Sequence, residues 1–140
     1  MNRCSTLKGD FRYTSNSVFD TFPWPQDPTK AQIEAVARAA AALRTLRRSL
    51  MKQHGLSLRK LYRSLESPGK HPLKEAHASL DAAVRAAYGM GKAKDPLASL
   101  LELNARLAAQ EAKGKTIVGP GLPPRAGSAN KLITPDCVRT

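Results

Sequence analysis

The sequence holds only two cysteines, Cys4 and Cys137, near opposite ends and outside any C-x-x-C spacing. This excludes a disulfide framework and a zinc knuckle, and it suits a reducing compartment. Long apolar runs are missing too: no stretch approaches the ~20 residues of a membrane span. Met1-Asn2-Arg3-Cys4-Ser5 has no apolar segment behind it, so no signal peptide is expected and a cytoplasmic location follows. Aromatics make up 5% of the chain, and most of them precede residue 25. The hydrophobic fraction is 41%, but much of it is alanine, which fills little volume, so the core is expected to be thin and marginal alone.

Acidic side chains are scarce, 11 against 23 basic ones, for a net charge of +12. The excess is uneven. Residues 1–28 sum to zero, whereas residues 29–70 carry ten basic and two acidic side chains, giving +8; residues 71–114 add +1 and residues 115–140 add +3. A localised positive field favours phosphate backbones or another anionic surface. The plainer alternative is a solvated basic helix face.

Residues 5–28 read as extended or irregular. Phe11, Tyr13, Val18, Phe19 and Phe22 alternate loosely with polar residues, and Pro23, Pro25 and Pro28 exclude regular helix. Phe19, Phe22 and Trp24 are too many large apolar groups for a free loop, and the chain before residue 29 offers them little partner, which points to docking on a domain outside this sequence.

Four helices follow. Thr29 and Gln32 form a capping-box pattern, and Ile33, Val36, Ala40, Leu43, Leu46 and Leu50 keep a helical period up to Gly55. Arg44, Arg48 and Lys52 recur at four-residue spacing, with Arg47 adjacent, and are expected on the side opposite the apolar stripe. Ser57 caps a short second helix through Leu58, Leu61, Tyr62 and Leu65 that ends before Pro68 and adds Arg59, Lys60 and Arg63 to the basic region. The third helix starts near Pro72, presents Leu73, His77, Leu80, Val84 and Ala87 on one face, and closes at Gly89. Asp95-Pro96 opens the fourth, with proline at the first helical position and Leu97, Leu100, Leu101, Asn104 and Leu107 expected inward until Gly114. The fold class expected is mainly α: a small helical array after an extended N-terminal segment, with a disordered C-terminal tail. The domains expected are 1–28 as an aromatic and proline-rich lead-in, 29–114 as the helical domain, and 115–140 as a Gly/Pro-rich tail.

Enzymatic constellations are absent from the pattern. Gly89-Met90-Gly91 follows a helix instead of joining a strand to one, and Gly119-Pro120-Gly121 is followed by prolines, so neither cradles a phosphate. His71 and His77 stand six apart with Pro72 between them, a poor spacing for a metal, and His77 is expected as a half-buried helix residue. The acidic residues Glu34, Glu66, Glu75 and Asp81 are scattered and suggest no acid–base pair. No catalytic, cofactor-binding or metal-binding residue is therefore assigned.

The run Leu7-Lys8-Gly9-Asp10-Phe11-Arg12-Tyr13-Thr14, continuing through Val18-Phe19-Asp20 to Phe22-Pro23-Trp24-Pro25, resembles the end of the target-recognition region in MmeI-type (type IIL/IIG) restriction–modification DNA methyltransferases. That family carries L-K-S-D-Y-R-Y-S-x-x-x-V-Y-N-x-F-P-W-P at this spacing. The sequence departs from it at Gly9, Phe11, Thr14, Phe19 and Asp20. Pro28-Thr29-Lys30-Ala31-Gln32, Leu61-Tyr62, Ala76-His77, Leu80-Asp81, Ala87-Tyr88-Gly89, Leu103-Asn104 and Gly119-Pro120-Gly121-Leu122-Pro123 are similar to its continuation, so the resemblance spans roughly residues 5 to 124.

The resemblance implies the C-terminal end of a larger chain that methylates adenine N6 in DNA with S-adenosylmethionine, often fused to a nuclease. The family's cofactor motif and N-P-P-[YF] catalytic motif lie upstream of the matching region, so this chain is expected to be neither catalytic nor cofactor-binding by itself. Its partners would be double-stranded DNA and the remainder of the methyltransferase. Lys8, Arg12, Arg44, Arg47, Arg48 and Lys52 become candidates for phosphate contact, and Phe19, Phe22 and Trp24 for docking on the recognition domain. Two other classes stay open: a stand-alone basic helical module that binds nucleic acid, and an interaction subunit that docks through Leu100, Leu101 and Leu107.

Overall fold

The computed structural model describes residues 5–7, 10–12, 18–91, 93–122 and 125–128. The protein is mainly α, as expected. Strands β1 (Ser5–Leu7) and β2 (Asp10–Arg12) pair antiparallel, with Leu7 opposite Asp10 and Ser5 opposite Arg12. Helices α1 (Lys30–His54), α2 (Leu58–Arg63), α3 (Pro72–Ala87) and α4 (Pro96–Glu111) follow, with a 3-10 turn at Ser64–Glu66 extending α2.

The chain divides into two compact units, one formed by 1–27 with 92–124 and the other by 28–91 with 125–140. The grouping of α4 differs: the sequence reading joined it to α1–α3, whereas it belongs with the N-terminal segment. A continuous run of helical periods gives no sign of which helices share a core.

In the helical unit, the capping box forms as its chemistry requires. The Thr29 amide donates to Gln32 Oε1 at 2.8 Å and the Gln32 amide donates to Thr29 Oγ1 at 3.3 Å, satisfying two donors that a helix start leaves orphaned. Gln32 Nε2 then donates to the Ala86 carbonyl at 2.8 Å, tying the start of α1 to the end of α3. At the opposite end, Leu43, Leu61 and Leu73 are buried together, with Leu46, Leu50, Met51, Leu56, Tyr62, Leu65, Ala76 and Leu80 packed around them. These contacts make α1 and α3 antiparallel, with α2 closing one end. Leu73 and Leu61 are the most enclosed side chains, at 0% and 2% exposure. Gly55 ends α1 at φ +59, a left-handed conformation that disfavours other residues, and its amide returns to the Met51 carbonyl.

In the other unit, Asp95 caps α4 by accepting from the Leu97 and Ala98 amides at 3.2 and 3.1 Å, with Pro96 at the first helical position. The buried face is not the one expected. Leu103 and Leu107 are buried and Leu100 and Asn104 half-buried, whereas Leu97 and Leu101 keep 66% and 59% of their surface exposed. A helix with leucine at 97, 100, 101, 103 and 107 is apolar over too wide an arc for periodicity to choose one stripe. Among the described residues after Gly114, 115–122 and 125–128, none lies in a helix or strand, and the start of this segment is held; residues 129–140 of the tail expected to be disordered lie outside the described residues. Gln26 Oε1 accepts from the Val118 amide at 2.8 Å, and Gln26 Nε2 donates to the Val118 carbonyl at 3.1 Å.

Candidate nucleic-acid interface

The antiparallel α1–α3 pair sorts charge along the helical unit. Its end around Leu43, Leu61 and Leu73 takes in residues 43–75, with the cations Arg44, Arg47, Arg48, Lys52, Arg59, Lys60, Arg63, Lys70 and Lys74 and the carboxylates Glu66 and Glu75. The opposite end has Lys30, Arg38 and Arg85 against Glu34 and Asp81, and there Arg38 pairs with Glu34 at 3.7 Å on an exposed face. One end is thus +7 and the other +1. Burial of Leu73 brings Lys70 and Lys74 to the basic end although they are remote in sequence from Arg44. Charge summed along the chain could not show that neighbourhood, and neither lysine was a candidate from sequence.

The four cations singled out on α1 do not form one exposed stripe. Arg48 and Lys52 are exposed, but Arg44 and Arg47 are half-buried. A 3.6-residue turn puts position 47 between the directions of Leu43 and Met51, so Arg47 sits over the apolar face with its aliphatic stem. Arg59, Lys60, Arg63 and Lys70 are all exposed and widen the surface beyond α1. Lys74 donates to the Ser67 carbonyl at 3.0 Å, tying the α2–α3 connection to α3. Lys8 lies outside the described residues, and Arg12 is placed only by its backbone pairing with Ser5.

Two histidines support this end. His77 is half-buried, as expected, with Nε2 3.1 Å from the Tyr62 hydroxyl and the two rings edge to face at 5.7 Å. His71 caps α3: its Nδ1 accepts from the Leu73 amide at 3.1 Å, and its Nε2 lies 3.4 Å from Ser64 Oγ. The cap was not anticipated, because histidine is an uncommon choice for it. At the far end of α3, burial pushes the Tyr88 hydroxyl above its ordinary range. Among the described residues no three His, Cys, Asp or Glu side chains come together as a metal ion requires, and no helix is long and apolar enough to cross a membrane.

In the other unit, Phe19 and Phe22 each meet Trp24 edge to face, at 5.2 and 5.5 Å between ring centroids. Phe22 also lines a cleft of about 90 Å³ with Pro23, Leu107, Ala108, Ile117 and Val118. The three rings therefore pack on one another, and Phe22 also faces α4 across the cleft. The α4 residues that Phe22 faces lie more than seventy residues away in sequence, so the segment before residue 29 gave no sign of them. Phe19 and Phe22 still expose 43% and 39% of their surface, and the buried Trp24 Nε1 has no hydrogen-bond partner among the described residues.

Set against protein-family models, curated proteins and solved structures, the chain matches none of them.

Proposed function

We propose that this chain is the C-terminal helical end of a site-specific DNA adenine-N6 methyltransferase of a restriction–modification system, working in the cytoplasm. In this reading it supplies phosphate contacts on double-stranded DNA and packs against the recognition domain, and it performs no catalysis itself. The observation that carries the reading is the basic end of the α1–α3 pair, where nine cations meet two carboxylates. Duplex DNA bears a charge every ~1.7 Å, and each neutralised phosphate releases counterions, so such an end gains affinity without reading sequence. The described aromatic at this end is Tyr62, half-buried and engaged with His77. A surface without an open stacking platform suits a duplex better than a single strand.

Phe19, Phe22 and Trp24 would serve as the docking point for the remainder of the methyltransferase, supported by the apolar surface that the two phenylalanines keep exposed. S-adenosylmethionine and the methyl-transfer chemistry belong to that remainder; no residue of this chain matches the family's motifs for either. A second reading, a stand-alone basic helical module, is favoured by the way these aromatics already pack in their own unit. Sequencing the DNA upstream of the Met1 codon separates the two. A frame there that encodes N-P-P-[YF], in phase or broken by one frameshift, is the expected result. Unrelated sequence with its own promoter and ribosome site overturns the methyltransferase reading.

A further inference from the structure

The cleft beside Phe22 has walls that are already fixed. Helix α4 supplies one through Ala108 and the buried Leu107. Ile117 and Val118 form another. There Gln26 holds the Val118 amide and carbonyl, and its Nε2 also donates to the Trp24 carbonyl at 2.7 Å, which joins that wall to the aromatic segment. Phe22 lines a third side, set edge to face on Trp24. A cavity formed in advance costs a ligand little to enter. Its charged lining has one sign: Asp20 and Glu111 line it, both exposed, and no lysine or arginine does. Among the described residues neither carboxylate has a cationic partner. The end of α4 adds to this negative charge. Helices α1, α2 and α3 each place a cation in the last turn, as the negative end of a helix favours, whereas α4 places none there and finishes on Glu111. Lys113 and Lys115 follow α4 without lining the cleft.

From the apolar walls and the unpaired carboxylates we infer that this cleft takes a lysine side chain presented by a protein partner. Its volume is about 90 Å³, room for roughly four heavy atoms when scaled from the ~150 Å³ cavity that holds benzene. The last four atoms of lysine are three methylenes, which can lie on Leu107, Ile117 and Val118, and an ammonium, which meets the exposed carboxylates of Asp20 and Glu111 while keeping part of its water. The last four of arginine are the guanidinium itself, whose N–H donors would be set against apolar walls. Phe19 and Phe22 keep exposed surface beside the cleft, so the apolar area continues past what the cavity can hold. A polypeptide covers that area and a free alkylamine does not. The inference rests on the docking role proposed above for these aromatics, and adds the chemistry that they select.

Titrating the full chain with the capped peptide Ala-Leu-Lys-Leu-Ala, and following amide chemical shifts, tests this. The expected result is saturable shifts at Ala108, Ile117 and Val118. Analogues with norleucine or arginine in place of the lysine, and n-butylammonium alone, should each bind severalfold more weakly. Asp20→Asn with Glu111→Gln should weaken the lysine peptide about tenfold and leave the norleucine analogue unchanged; both side chains are exposed, so the variant keeps the wild-type circular dichroism. Ala108→Leu, at an exposed position on the cleft wall, should fill the space and remove binding of every peptide. The chain carries a net charge of +12, so general attraction cannot imitate the site. No shift at these amides up to about ten millimolar peptide overturns the inference. Equal binding of the norleucine or arginine analogue overturns the choice of lysine, and equal binding of n-butylammonium overturns the protein source in favour of a free amine. None of these outcomes touches the frame upstream of Met1 or the salt dependence of DNA binding, which test the methyltransferase reading separately.

Discussion

Replacing Leu73 with alanine removes a side chain that has no exposed surface and stands between α1 and α2 at the basic end. Truncating a fully buried leucine costs about 3–5 kcal/mol, and the cost falls where neighbours can close the gap. Here Leu46, Leu50 and Met51 pack around the site without being fully enclosed, and methionine in particular can move to fill space. The lower part of the range, about 3 kcal/mol, is therefore expected. For a unit of about 60 residues the whole stability is roughly 3–9 kcal/mol, so this one change removes a third of it or more. Amide hydrogen exchange reads the loss where it occurs: protection at Leu50 in α1 and Leu80 in α3 should fall about a hundredfold, at 1.4 kcal/mol per factor of ten. Leu97→Ala, at a position 66% exposed, serves as control and should change stability by less than about 0.5 kcal/mol. If Leu73→Ala lowers protection less than tenfold, or no more than Leu97→Ala does, the core is not organised as described.

Gln32→Ala removes both the capping-box acceptor and the bond to Ala86, and should cost about 1–2 kcal/mol by thermal unfolding. Gln32→Glu keeps the acceptor and loses only the tie to α3, so it should fall between wild type and alanine. Gln26→Ala deletes both hydrogen bonds to Val118; the Val118 amide should then exchange at the rate of an open segment, and unchanged protection would show that Gln26 does not hold it. The Tyr88 hydroxyl is raised above 10.0 by burial, so the folded state keeps its proton where the unfolded chain loses it. That contribution is intact below pH 10 and is lost as pH rises through the folded-state value. The alkaline decline in stability should be shallower in Tyr88→Phe, and an identical decline contradicts the assignment.

Local structure was legible in the sequence wherever a short-range rule decides it. The Thr29–Gln32 box, the Ser57 and Asp95 caps, the proline starts of α3 and α4, and the stop at Gly55 all depend on residues within one or two turns. The half-burial of His77 was legible too, from its place on the apolar face of α3. What needed the fold was every feature set by distant neighbours. The inward face of α4 depends on the segments 20–23 and 117–119 beside it, and five leucines gave periodicity no way to choose. The convergence of Lys70 and Lys74 with the α1 cations follows from Leu73 packing with Leu43, which no charge sum reveals. Arg47 shows the opposite failure, since a charged side chain was taken as exposed where its helix position put it over the core edge. The aromatic cluster was recognised as needing a partner, but the α4 residues that Phe22 faces across the cleft lie beyond the reach of a local reading.

The role proposed for the end of the α1–α3 pair around Leu61 and Leu73 is to bind duplex DNA through its phosphates. The most direct test is the affinity of the full chain for a short duplex as a function of salt concentration. Arg48, Lys52, Arg59 and Lys60 are replaced together by glutamine in one variant; Lys30 and Arg38, at the other end, are replaced in a second. The first variant should flatten the log–log salt slope by roughly 3–4 units, about 0.9 per lost contact, while the second leaves it close to wild type. A slope unchanged in the first variant, or reduced equally in both, would contradict it.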